Sequence, residues 1–269
     1  MAWFTPHTVH DVLRLKAERP DAVVVAGGTF VGILCRQGLL TADDWISLQD
    51  LGDLTAVTTD GDLSLGAMVR HRRVELDPVI GRDWPGVVRA FAAVASPRVR
   101  NVATVGGMLA DADYASDPPS MLVALEAWVE VASLRGVRRV AVADLIVGHY
   151  ETALDDDELI TRLVVPHRDA RVVYRKLRTR SAEDRPCVSV SAVRTGDRLR
   201  VVVGAVSERP QYFPDVCAVF APGRPATATD IGRGYADRID PIADARGSAD
   251  YRRHAIAVEV RRAVEEVLA

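Results

Sequence analysis

The sequence predicts an α+β chain of two domains. Residues 1–165 form the first, with a small α/β unit over about 1–55 and a mixed sheet with helices over 56–165. Residues 166–269 form the second, a three-stranded antiparallel sheet with helices. Three observations predict this. A β-branched run, Ala22 to Ala26, leads through Gly27-Gly28-Thr29 into an apolar helical segment near Phe30. From Ala56 the pattern changes to short strands joined by hairpin signals. Beyond Pro166 to Ala170, three strands follow one another and the chain ends in helices.

The elements follow in order. Thr8 to Glu18 reads as an amphipathic helix with Val9, Val12 and Leu13 inward, ended by Pro20-Asp21. The strand Ala22–Ala26 and its glycine turn come next, then a strand at Trp45–Leu48. Asp60-Gly61-Asp62 is a hairpin signal between Ala56–Thr59 and Leu63–Gly66. Val69–Leu76 and Pro85–Val94 read as helices, and Ser96 to Gly107 as a loop. Pro118–Ala127 is a helix with both prolines in its tolerated first turn. Trp128–Leu134 and Val137–Val142 pair around Gly136, and Glu158–Val165 closes the first domain. In the second, Val172–Leu177, Val188–Val193 and Leu199–Val206 are strands, the last two joined by Thr195-Gly196-Asp197. Pro210 to Pro225 is irregular. Helical segments are expected at Thr229–Arg238, near Ile242 and at Asp250–Leu268, where Ile256, Val260, Val264 and Leu268 recur every four residues.

Composition excludes several classes of function. The chain has 269 residues and a net charge of −3, against a general nucleic-acid binder. Only Lys16 and Lys176 are lysines. The cysteines, Cys35, Cys187 and Cys217, are scattered and odd in number, so neither a disulfide framework nor a self-made zinc or iron–sulfur centre is expected. The N-terminus lacks a signal-peptide pattern, and no apolar run reaches the length of a membrane span. These features predict a cytoplasmic protein.

Two glycine loops carry the chemistry. In Ala26-Gly27-Gly28-Thr29, successive amides at a strand-to-helix turn make an anion-binding concavity. A P-loop is rejected because Ile33 stands where its lysine is required, and no G-x-G-x-x-G occurs. An ordinary tight turn is the bland alternative. The second loop, Arg100 to Gly107, again sets Gly-Gly beside a threonine, with Asp117 after it. Two such loops in one domain can wrap a pyrophosphate with backbone donors and no cationic clamp. Asp117 can accept hydrogen bonds from ribityl hydroxyls, or cap the helix at Pro118.

On these residues the chain resembles the FAD-binding subunit of the molybdenum hydroxylases, the xanthine dehydrogenase and carbon monoxide dehydrogenase family. Ala26, Gly27, Gly28 and Thr29 match the family's first flavin loop; Phe30 and Val31 depart from it. Arg100, Asn101, Ala103, Thr104, Val105, Gly106, Gly107, Leu109, Ala110, Asp117 and Ala124 to Ala127 match the second, where Met108 and Asp111 replace two asparagines. Asp157 to Pro166, Tyr174-Arg175-Lys176, Tyr251-Arg252-Arg253 and Arg261-Arg262-Ala263 extend the resemblance over essentially the whole chain.

The resemblance implies an FAD-binding electron-transfer subunit. Its partners would be a small subunit with two iron–sulfur clusters and a large subunit with the molybdenum cofactor, in a higher-order hetero-oligomer. The implied cofactor-binding residues are Val25, Ala26, Gly27, Gly28, Thr29, Phe30, Thr104, Val105, Gly106, Gly107, Met108, Asp117 and Lys176, with no catalytic side chain and no metal ligand. A stand-alone flavin-dependent oxidoreductase and a flavin-free interaction subunit are the alternatives. Lys176 either reaches the flavin or is a surface lysine. The six histidines do not cluster, Asp155 to Asp157 reads as a solvated turn, Cys35 as a packed thiol and Arg178 to Arg185 as a solvated stretch.

Overall fold

In the computed structural model, which describes residues 2–220 and 226–269, the chain builds three principal sheets and two apolar cores. The N-terminal unit is a parallel sheet of β1 (Ala2–Phe4), β2 (Val23–Val25) and β3 (Asp44–Ser47), ordered β1-β3-β2. Parallel neighbours need crossovers, and the helices Val9–Glu18 and Val31–Arg36 supply them. Thr8 starts the first helix by accepting the Asp11 amide on its side chain. Val12 and Leu13 lie buried beneath it. The helix after the glycine turn buries no residue, which is why Cys35 is exposed rather than a packed thiol.

The second sheet joins β4 (Val57–Thr58), β5 (Leu63–Gly66), β6 (Trp128–Ser133), β7 (Gly136–Ala141) and β10 (Leu159–Val165) in the order β4-β5-β10-β6-β7. A small hairpin of β8 (Ile146–Gly148) and β9 (Glu151–Thr152) precedes β10. β10 lies centrally, paired antiparallel on both sides and buried at six of its seven positions, as a strand covered on both faces requires.

The stretch Ser96 to Gly107 is not one loop. A turn of helix spans Pro97–Arg100, and a second helix, Val105–Asp111, begins inside the Thr-Val-Gly-Gly segment. Thr104 caps that helix, its hydroxyl accepting the Gly107 amide at 3.2 Å. Arg100 is buried against Glu75 at 2.8 Å and donates to the carbonyls of Val94 and Ala95 at 2.7 and 2.8 Å. The guanidinium therefore pins the chain on both sides of the turn.

The C-terminal sheet is the expected antiparallel β11 (Arg171–Leu177), β12 (Val188–Thr195) and β13 (Arg198–Gly204), extended by a two-residue edge strand, β14 (Gln211–Tyr212). Its backing is the helix pair Ala226–Arg238 and Ala249–Leu268. Ile256, Val260, Val264 and Val267 are buried along the last helix. Residues near Ile242 are not helical: Asp244 instead accepts Arg252 at 2.7 Å from that helix. Of the irregular stretch Pro210 to Pro225, residues 221–225 lie outside the described residues.

One apolar core runs from Val12 through Leu63, Phe91 and Leu122 to Val165; a second runs from Val173 through Val201 and Tyr235 to Val267. The helix Pro118–Ala124 joins the two halves, packing on β12 and β13 with all seven residues buried. Among the described residues, no helix is long and apolar enough to cross a membrane.

Candidate functional site

A cavity of about 650 Å³ opens between the N-terminal unit, the second sheet and the β11–β12 connection. That is within the roughly 300–1,000 Å³ of ordinary cofactor and ligand sites. Of the residues picked out from the sequence, Ala26, Gly27, Gly28, Thr29, Phe30, Thr104, Gly106, Gly107, Met108 and Asp117 line it. Val25 belongs to β2, and Val105 is fully buried in the core; neither lines it.

The two glycine loops are brought together backbone to backbone. A Cβ on Gly27 would stand 2.0 Å from the Val102 carbonyl oxygen, and one on Gly106 would stand 2.6 Å from the Ala67 Cβ. These two glycines permit close approach of protein to protein, not of protein to ligand. Gly28 differs: its φ is +66°, the left-handed region that glycine enters without strain, and a Cβ there would meet only Val25 at 3.7 Å.

The loops also differ in the donors they offer. In the second, Val105, Gly106 and Met108 amides donate to Val69, Ala67 and Thr104 carbonyls at 2.9, 2.8 and 3.0 Å, and Gly107 to the Thr104 hydroxyl. In the first, the amides of Gly27, Gly28, Thr29, Phe30 and Val31 have no backbone carbonyl acceptor among the described residues. The expectation that both loops offer backbone donors is therefore corrected for the second, whose amides from Val105 to Met108 are already engaged in starting a helix. A row of unpaired amides at a glycine turn suits the phosphates of a dinucleotide.

Asp117 is buried, but it does not cap its helix: its backbone is helical and its side chain makes no capping bond. Its carboxylate accepts the Tyr174 hydroxyl at 2.5 Å and the Lys176 ammonium at 3.0 Å. Lys176 also donates to the Ala93 carbonyl at 2.7 Å and is buried, so it is neither a surface lysine nor a lining residue of the cavity. It reaches the site through Asp117. Burial pushes the Asp117 carboxyl up to about 6, opposed by Lys176 and the Tyr174 hydroxyl.

Several lining residues have no counterpart among those picked out from the sequence. Lys16, from the first helix, faces the cavity with Leu154, Asp155 and Asp156; burial lowers its pKa, opposed by Asp156 and Asp157. Its rarity in the sequence was the available signal. Asp155 and Asp156 are exposed in a turn, as expected, and that turn stands at the edge of the cavity, where Arg135 holds Asp155 and Asp157 at 2.8 and 2.6 Å. Asp111, where an asparagine was expected, is pushed up to about 7 by burial and by Asp113. Arg185, from the stretch expected to be solvated, pairs with Asp113 at 2.8 Å and also lines the cavity.

His71 is buried against the edge of Phe91, with ring centroids 4.8 Å apart. Its Nε2 lies 3.2 Å from the Thr104 carbonyl, so that nitrogen carries the proton. Nδ1 has no partner among the described residues. Burial depresses the His71 pKa to about 4.

Comparison with known proteins places these features in a family. Residues 1–168 match the model of the FAD binding domain in molybdopterin dehydrogenase, and 173–267 that of the CO dehydrogenase flavoprotein C-terminal domain. The nicotine 6-hydroxylase medium subunit of Paenarthrobacter nicotinovorans is 30% identical over 97% of this chain and 95% of its own length. The carbon monoxide dehydrogenase medium chain of Afipia carboxidovorans is 29% identical over 98% and 95%. Among solved structures, quinoline 2-oxidoreductase from Pseudomonas putida 86 superposes with a TM-score of 0.94 and 28% identity, covering 100% of this chain and 96% of that one.

Proposed function

Because this chain belongs to the family carrying the FAD binding domain of molybdopterin dehydrogenases, we propose that it is an electron-transfer subunit, passing electrons from iron–sulfur clusters on a partner chain through FAD to a final acceptor. The observation that carries the reading is the row of unpaired amides at Gly27 to Val31, facing a cavity that the second loop and Asp117 also line. These residues fit FAD. The first loop would hold the pyrophosphate, Gly106, Gly107 and Met108 of the helix start would form an adjoining wall, and Asp117 would accept from ribityl hydroxyls, with Lys176 and Tyr174 keeping it in place.

FAD supplies the redox chemistry, and the protein supplies position and electrostatics. The partners follow from the relatives: two are medium subunits or chains by name, and a cyanide-inactivated Cu,Mo-CO dehydrogenase structure matches at TM-score 0.93 and 25% identity. The free, scattered thiols of this chain make a partner the natural source of the clusters. We therefore assign a cluster-bearing small subunit and a molybdenum-bearing large one. Reduced thiols also fit a cytoplasmic location. Domain division at 165/166 is part of the same reading, supported by the end of β10 at Val165 and the separate core behind β11 to β13.

The test is to purify the protein with its companions and without added cofactor. Flavin absorbance, FAD released intact on denaturation, and a co-purifying cluster-bearing chain whose reduction bleaches the flavin are expected. A chain that stays colourless after FAD is added would overturn the cofactor assignment. Flavin reduction by a small molecule in the absence of any partner would instead identify a stand-alone oxidoreductase.

A further inference from the structure

Phe30 stands in the first glycine loop at the start of the helix Val31–Arg36, where it makes no capping bond. Its ring stacks on Tyr150, with centroids 5.3 Å apart and planes inclined by 11°. Tyr150 sits at the tip of the β8–β9 hairpin in a left-handed conformation, φ 56°, and its amide donates to the carbonyl of Ala112, itself at φ 45°. Two adjacent non-glycine residues in that region persist only where their surroundings hold them. Tyr150 in turn meets Tyr114 edge-on at 6.3 Å, and Tyr114 meets His149 edge-on at 4.9 Å. The Tyr114 hydroxyl donates to Asp244 at 3.1 Å and accepts from Arg246 at 2.5 Å. Asp244 also holds Arg252. An unbroken line of contacts thus ties the first loop to the hairpin and the hairpin to the C-terminal half.

The ring pair is not simply part of the cavity wall. Phe30 lines the cavity and Tyr150 does not. The loop it anchors otherwise has weak support, since its amides lack carbonyl partners and the following helix buries no residue. A stack between planar rings adds stability beyond the area it covers. We propose that Phe30 and Tyr150 form an aromatic latch that holds the first glycine loop in its phosphate-binding shape, with Tyr150 acting as a positioning residue from outside the site. This rests on the assignment of the cavity to FAD. It also gives a role to the ring at a position where the chain departs from the first flavin loop of the family it resembles.

The experiment measures FAD affinity and release by fluorescence on the full chain, as wild type, Phe30→Ala, Tyr150→Ala, the double variant and Phe30→Tyr. Thermal midpoints are taken without FAD. Each alanine variant is expected to weaken FAD roughly three- to tenfold, mostly by faster release. The double variant is expected to be no weaker than either single one, and Phe30→Tyr to match wild type. Loss in Phe30→Ala with none in Tyr150→Ala would overturn the latch, because the ring would then touch the cofactor directly. So would additive losses, or FAD binding unchanged in both variants. Loss that only parallels a drop in the FAD-free midpoint would reduce Tyr150 to a structural residue and overturn it as well. A wild-type chain that fails to bind FAD would overturn the cavity assignment and the latch together, a result distinct from all of these.

Discussion

At the scale of single residues, the positions that matter most are those whose surroundings leave no room. A Cβ at Gly107 would stand 2.9 Å from the Thr104 hydroxyl that caps its own helix. Gly107→Asp therefore disturbs the cap and sets a carboxylate in the cavity proposed to hold FAD. FAD affinity is expected to fall about a hundredfold, by about 3 kcal/mol, against a smaller loss for Gly107→Ala. Fluorescence titration with FAD measures both. His71 predicts a pH dependence. Its pKa is depressed to about 4 in the folded chain, against about 6.5 when unfolded. The unfolded chain binds the extra proton between those values, so stability is full above pH 6.5 and is lost as pH falls toward 4. Between pH 7 and 5 the His71 contribution amounts to about 2 kcal/mol. In urea unfolding, His71→Gln should lose that much less stability than wild type over the same interval.

At the scale of elements, the sequence was legible where periodicity and turn chemistry agreed. The first helix starts at Val9 with Thr8 as its cap, and β4 and β5 pair as the Asp60-Gly61-Asp62 turn requires. The second glycine loop was legible as a motif but not as a helix start. Gly106 and Gly107 disfavour helix by propensity, and only the Thr104 hydroxyl and the carbonyls of Val69 and Ala67 reveal why a helix forms there. Long-range partners of that kind leave no local trace. The cap is expected to be worth about 1 kcal/mol. Thr104→Ala should lower the thermal midpoint accordingly and Thr104→Ser should restore most of it. Gly27 was legible as a loop glycine, yet its constraint is the Val102 carbonyl, more than seventy positions away in sequence.

At the scale of the whole molecule, the two halves meet at a buried charge. Asp117 comes from the helix Pro118–Ala124's leading edge, Lys176 and Tyr174 from β11, and the carboxylate is enclosed by both. Removing one partner of such a pair leaves the other charge without compensation, at a cost of about 3–5 kcal/mol. Lys176→Met should destabilise the chain by that order in denaturant titration, and the double variant Lys176→Met, Asp117→Leu should recover part of it. FAD affinity should fall in both, because Asp117 is either displaced or absent. From the sequence, Lys176 was visible as a rare residue at a family position; that its partner is Asp117 depends on β11 bringing Tyr174 and Lys176 to the head of that helix.

The scarcity of lysine has a practical corollary. Of the two ε-amines in the chain, the one on Lys176 is held between a carboxylate and a carbonyl inside the protein, while the one on Lys16 faces the cavity. An amine-acylating reagent therefore finds a single lysine side chain. Peptide-mass detection of an acyl group on Lys16 then becomes a gauge of occupancy: the group is expected on the protein without FAD and is expected to be lost when the proposed cofactor fills the cavity.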